Sequence, residues 1–194
     1  GNALFIDGEL QVSEKDEKKY SGQFVSSALN LNSTNSTAAI IGGGDGGVAR
    51  ECISKGFNLI DWYELDPEVV KACYKHLPKI SSRVKESNSI KCYWGDAFES
   101  IKSAEDSKYD KIFVDLNDDQ YCIDLAAKNM NALKRILKPG GVITAQVGSK
   151  DKKPKQVDNW LKVLSKNFGN AKLDEAHIPS FDCRWNFASS VMNS

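Results

Sequence analysis

Six residues, Gly42-Gly43-Gly44-Asp45-Gly46-Gly47, stand between the apolar run Ala38-Ala39-Ile40-Ile41 and a stretch from about Val48 to Lys55 that predicts a helix. Gly42, Gly44 and Gly47 satisfy G-x-G-x-x-G, the pattern that lets a strand turn tightly into a helix while the backbone stays open to a ligand. Such a junction belongs to a parallel sheet. Asp45 then narrows the ligand: a pyrophosphate against this helix N-terminus would meet a carboxylate. The loop suits a ligand without phosphate and with a positive group nearby.

The rest of the chain repeats the alternation. Strands are expected over Asn58–Tyr63, Ser89–Tyr93, Tyr109–Val114 and Val142–Val147. Helices are expected over Pro67–Leu77, opened by its proline, Cys122–Leu137, closed by Lys138-Pro139-Gly140-Gly141, and Val157–Asn167. Ala171–His177 and Trp185–Met192 predict a final antiparallel pair. Upstream, Leu4–Val12 reads as a β-hairpin turning at Asp7-Gly8, and Asp16–Leu29 as a helix with Tyr20, Phe24 and Ala28 on one face. The polar stretch Asn30–Thr37 is a loop. The expected class is α/β: a central, mostly parallel seven-stranded sheet with helices on both faces and ligands at the carboxyl ends of the strands. A lead-in over 1–30 precedes one catalytic domain over 38–194.

Composition removes other classes. The chain has 194 residues, enough for one α/β domain with a small appendage, and 26 Lys+Arg balance 26 Asp+Glu. Without a basic field, nucleic acid is not expected as a partner. No apolar run approaches the ~20 residues that cross a bilayer, so a soluble, cytoplasmic protein is expected. Five cysteines without a C-x-x-C pair predict buried free thiols, with no disulfide framework and no metal site. His76 and His177 have no nucleophile near them in sequence, and the run Lys150–Lys155 reads as a solvated loop. The four tryptophans read as core, with Trp94, beside Gly95-Asp96, the one placed to stack on a ligand.

Acids at the strand ends carry the chemistry. Glu64 follows Gly44 by twenty residues and ends the second strand, where a carboxylate accepts from both ribose hydroxyls. Asp96 ends the third, within reach of an adenine amino group. Together with the glycine loop these describe an adenosyl pocket. Asp115-Leu116-Asn117-Asp118-Asp119 follows the fourth strand, and three carboxylates there can hold a cationic amine while their crowding raises a pKa toward use as a base. A sulfonium carries electrophilic carbons, so an amine held in line needs little beyond positioning and loss of a proton. Asp115 would take or orient that proton, and Asp118 would fix the amine. The carboxylate of S-adenosylmethionine would meet Asp45, whereas the decarboxylated form offers only an ammonium, which Asp45 and Asp115 both attract.

These motifs, with Leu4-Phe5-Ile6-Asp7-Gly8-Glu9-Leu10-Gln11, Ser13-Glu14-Lys15-Asp16-Glu17 and His177-Ile178-Pro179-Ser180, resemble in order the spermidine synthase family of polyamine aminopropyltransferases. The resemblance implies the Rossmann-like sheet of class I S-adenosylmethionine-dependent methyltransferases. It also implies transfer of an aminopropyl group from decarboxylated S-adenosylmethionine, a co-substrate rather than a prosthetic group, to putrescine or a longer polyamine, with release of methylthioadenosine. By that resemblance Gln11, Gly42, Gly44, Asp45, Glu64, Asp96 and Ala97 would contact the nucleoside, Asp115 would be catalytic, and Tyr20, Asp118 and Phe181 would line the amine path. Residues 1–30 would correspond to the remnant of an N-terminal β-domain, and a homodimer is the assembly implied. The chain departs from the family at Ser21 and Gly22, where a polar contact to the substrates is lost, and at Phe181, which lacks a tyrosine hydroxyl. Pro179-Ser180-Phe181 with Trp185 is closer to enzymes of longer polyamines. Two alternatives remain open: a non-catalytic homologue that binds nucleoside or a partner chain, and an S-adenosylmethionine-dependent amine N-methyltransferase.

Overall fold

Ile40 and Ile41 are both fully buried, and they point to opposite faces of a strand that water never reaches. That demands cover on both sides, which is what parallel strands require. In the computed structural model residues 1–193 are described; Ser194, the last residue of the expected 38–194 domain, lies outside them. The strands are β1 (Ala3–Ile6), β2 (Glu9–Ser13), β3 (Thr37–Gly42), β4 (Leu59–Glu64), β5 (Ile90–Trp94), β6 (Tyr109–Asp115), β7 (Leu137–Gly148), β8 (Lys172–Ile178) and β9 (Cys183–Val191). The helices are α1 (Glu17–Leu29), α2 (Gly47–Ser54), α3 (Pro67–His76), α4 (Pro78–Lys85), α5 (Ala97–Ser100), α6 (Gln120–Lys128), α7 (Met130–Ile136) and α8 (Pro154–Phe168).

Seven strands form one sheet in the order β5-β4-β3-β6-β7-β9-β8. Only the contacts of β9 with β7 and β8 are antiparallel. The order reverses direction at β3, whose neighbours are β4 and β6, so the crevice for a ligand opens beyond the carboxyl ends of β3 and β6. One face of the sheet packs Ile41, Ile112 and Ile143 against Trp160 and Leu164 of α8; the other packs Ile40, Trp62 and Phe113 against Phe24 of α1 and Val48 of α2. β1 and β2 make a separate hairpin. Its turn residues Asp7 and Gly8 both have positive φ, the geometry of a two-residue turn that matches strand twist.

Two expectations need correction, and one helix has no counterpart in the sequence reading. The helix predicted over Cys122–Leu137 is two helices, broken at Asn129, whose side-chain amide donates to Leu125 O at 2.9 Å and competes with the backbone ladder. Lys138–Gly141 is no helix stop but the start of β7, because Gly140 N–H donates to Met192 O and Met192 N–H to Gly141 O, both at 2.8 Å. The stretch after α3 is a further helix, α4, burying Ile80, Ser81 and Val84. Of the cysteines, Cys52, Cys73 and Cys183 are buried as expected, whereas Cys92 and Cys122 are half-buried.

The first and last parts of the chain are tied together. Asp16, only 5% exposed, precedes α1 but does not cap it; its carboxylate accepts from Ser180 N–H at 2.6 Å and from Ser180 Oγ at 2.8 Å. Among the described residues no helix is long and apolar enough to cross a membrane.

Candidate active site

A cavity of about 990 Å³ lies over the carboxyl ends of β3, β4 and β6. Gly42, Gly44 and Asp45 form its floor. Glu64, at the end of β4, and Asp96 with Ala97, after β5, form one wall. Asp115, the last residue of β6, and Asp118 form the opposite wall. Gln11 reaches in from β2, Tyr20 from α1, and Phe181 from the turn between β8 and β9. Every residue assigned above to the nucleoside, to catalysis or to the amine path lines this one cavity.

Close approach of backbones makes the floor. Gly43 N–H donates to Asp115 O at 3.1 Å, and Gly43 has φ of 67°. A Cβ there would stand 2.8 Å from Asp115 Oδ2, so only glycine lets the loop and the carboxylate share this space. Trp62 Nε1 donates to Gly42 O at 2.7 Å and holds the loop from beneath. Asp45 Oδ1 accepts from Gly47 N–H at 2.6 Å. Asp96 caps α5 by accepting from Phe98 N–H at 2.8 Å.

Tyr20 donates to Asp115 Oδ1 at 2.7 Å. Burial is the main force on the acids: it lifts Asp115 to about 7, with Glu64 and Glu17 adding to the effect and the Tyr20 hydrogen bond opposing it. Asp45 rises to about 8 through burial first and then through Asp115 and Glu17. Burial also raises Glu64, and burial followed by Asp115 raises Tyr20. The floor is thus a set of carboxyl groups short of positive charge, which a cationic ligand would ionise.

The acidic strand end is not three equivalent carboxylates. Asp119 is the N-cap of α6, accepting from Cys122 N–H at 2.8 Å, and stands at the rim. Asp118 Oδ2 lies 3.2 Å from Lys153 Nζ. Ser21 lies outside the cavity lining: it is buried and its hydroxyl donates to Glu17, which also receives Arg50 through two nitrogens.

The basic run Lys150–Lys155 is exposed throughout, as expected of a solvated loop, yet two of its lysines also reach the site. Lys152 and Lys153 line the cavity, because Lys153 N–H donates to Ser149 O at 2.7 Å and folds the segment back over the mouth before α8 begins. Lys152 Nζ donates to Phe181 O at 2.7 Å. A charge run offers no periodicity that distinguishes a solvated loop from one closed over acids. Of the tryptophans, Trp94 is 48% exposed and outside the cavity lining, while Trp185 is in it, its ring 4.7 Å from that of Phe181. Gln146, which the sequence did not mark, accepts from Trp185 Nε1 at 3.0 Å and from Gly148 N–H at 3.1 Å, fixing the amine-side wall.

The sheet order and the crevice at its switch point define the methyltransferase-like class of α/β proteins. The spermine/spermidine synthase domain model matches residues 17–193. A polyamine aminopropyltransferase of Prochlorococcus marinus (strain MIT 9215) is 33% identical over 98% of this chain and 69% of its own, and that of strain NATL1A is 32% identical over 97% and 68%. Among solved structures, a spermidine synthase in complex with the transition state analogue AdoDATO superposes with a TM-score of 0.88 at 21% identity, and the spermidine synthase from Thermotoga maritima with 0.86 at 21%. The chain spans 64% and 63% of those two structures' chains, and they cover 95% of it. The chain belongs to the spermine/spermidine synthase family, a family of transferases.

Proposed function

We propose that this chain transfers an aminopropyl group from decarboxylated S-adenosylmethionine to the amine of a polyamine acceptor and releases methylthioadenosine. The observation that carries the reading is the placing of two half-buried carboxyl groups, Asp45 and Asp115, against one glycine loop, with Tyr20 on Asp115. Gly42, Gly44, Glu64, Asp96, Ala97 and Gln11 hold the nucleoside, with Glu64 on the ribose and Asp96 on the adenine. Asp45 receives the ammonium of the aminopropyl arm, where a carboxylate would be repelled. Tyr20, Asp118 and Phe181 line the acceptor's path.

In the reaction the acceptor nitrogen attacks the aminopropyl methylene carbon bonded to sulfur. A C–N bond forms, the C–S bond breaks, and its electron pair stays on sulfur, which leaves as a neutral thioether. An alkylammonium titrates near 10.4 in water. Asp115, lifted to about 7 by burial, is a better proton acceptor than an ordinary carboxylate and takes or orients the proton the attacking nitrogen sheds. In-line positioning supplies the rest. Five unpaired cysteines fit a reducing, cytoplasmic setting, and a homodimer goes with the same reading.

The test incubates the protein with decarboxylated S-adenosylmethionine and, separately, putrescine, cadaverine, agmatine, spermidine or spermine, and identifies products by mass. Methylthioadenosine and an acceptor heavier by one aminopropyl group are expected. Asp115→Asn lowers turnover by roughly 10²–10⁴-fold, the usual contribution of an acid–base group, with affinity for the nucleoside retained in calorimetry. Tighter binding of carboxylated S-adenosylmethionine overturns the reading.

A further inference from the structure

Lys153 occupies a position that local energetics disfavour for a cation. It is the N-cap residue of α8, immediately before Pro154, and makes no capping bond. A helix N-terminus favours a side-chain acceptor and carries partial positive charge, so an ammonium at that point is opposed by the dipole. What holds it is Asp118, 3.2 Å away. Asp118 in turn has room only because residue 148 is glycine. Gly148 has φ of 83°, and a Cβ there would stand 2.8 Å from Asp118 Oδ2. A local rule broken in this way, with its compensation inside a cavity, marks function rather than stability.

The pair is also easy to open. The side chain of Lys153 is 47% exposed and that of Asp118 22%, and ion pairs this open to water are weak. Behind it stand Asp115 and the rings of Phe181 and Trp185, surfaces that suit another cation.

We propose that Lys153 is an acceptor-specificity residue: its ammonium occupies the cation place at Asp118 in the free enzyme, and an ammonium of the incoming diamine or polyamine displaces it. This rests on the aminopropyl-transfer reading above. One cation leaves Asp118 as another arrives, so the charge at that carboxylate stays balanced throughout. The displaced Lys153 remains at the mouth beside Lys152, where their charges oppose any further ammonium of a long acceptor. The lysines therefore select for short diamines over spermidine and spermine.

The test compares Lys153→Gln, Lys153→Arg and the exposed Lys155→Gln, which lies outside the cavity lining, with the unaltered enzyme. Removing the competing ammonium lowers the acceptor KM about fivefold for putrescine, the factor that about 1 kcal/mol gives. KM falls further for spermine, and kcat moves less than twofold. Lys153→Arg keeps the original KM, and Lys155→Gln changes nothing. In parallel, calorimetry measures putrescine binding to each protein saturated with methylthioadenosine and shows the same tightening in Lys153→Gln. An unchanged KM and affinity overturn the proposal; a rise does too, because Lys153 would then contact the acceptor rather than compete with it. If neither protein releases methylthioadenosine, the transfer reading has failed, and the calorimetric comparison alone decides whether Lys153 competes for Asp118.

Discussion

Two cations meet carboxylates around the same crevice, and they differ in nearly every respect that sets an ion pair's worth. Arg50 and Glu17 are buried, with side chains 9% and 2% exposed, and two guanidinium nitrogens reach one carboxylate that Ser21 also serves. Lys153 and Asp118 meet through a single contact at the open mouth. Planar, multiply bonded arginine is suited to a fixed joint, here between α1 and α2, while a lysine on a flexible stem is suited to exchange. The first pair ties α1, which carries Tyr20, to α2; the second can be replaced by a ligand.

The largest way to break this contrast is Arg50→Met. It leaves Glu17 buried without its counter-charge and lowers stability by about 3–5 kcal/mol, roughly 10 °C in a thermal scan. Lys153→Gln moves the same transition by less than about 0.5 kcal/mol. Equal losses in the two variants would erase the distinction.

A second effect comes from pH. Asp45, lifted to about 8, and Asp115, lifted to about 7, bind protons more tightly in the folded protein than in the unfolded chain, whose carboxyls titrate near 3.8. Their contribution to stability is complete below pH 3.8 and is lost as pH rises through 7 to 8, with a slope of at most about 1.4 kcal/mol per pH unit for one group titrating alone. The ligand-free melting temperature therefore falls across this window, and Asp45→Asn flattens the fall. Decarboxylated S-adenosylmethionine, which needs the ionised carboxylates, raises the melting temperature more at pH 8 than at pH 6. A melting curve with the opposite slope in Asp45→Asn would show that the acids do not act as described. Asp119→Ala removes the cap of α6 at a cost of about 1 kcal/mol and leaves putrescine affinity unchanged, because Asp118 is the carboxylate that meets a cation.

How much of this was legible follows from the range of each interaction. The glycine loop, the strand ends at Glu64 and Asp115, and the buried parallel strands are local patterns, and their placement came through. The break at Asn129 depends on one side chain turning back on Leu125, and α4 on a short apolar face opened by Pro78; both lie at the scale where boundaries are weakest. The Glu17–Arg50 joint and the Lys153–Asp118 pair join residues from different helices and loops, and no spacing in the sequence announces them. Asp119 belonged to an acidic cluster on paper, yet three residues later its cap of Cys122 gave it separate work.

The hydrogen bonds from Ser180 to Asp16 span 164 positions of the chain. They have a consequence for how the protein comes into being. During synthesis the glycine loop and the ends of β3 and β6 leave the ribosome well before β8 and β9, and contacts this distant in sequence form late because the intervening chain must first be ordered. The half-made protein thus exposes its acids without the wall of Ser180, Phe181 and Trp185 that encloses them. Closure of the crevice waits for β8 and β9, so ligand capture by a nascent chain reports that these two strands are in place.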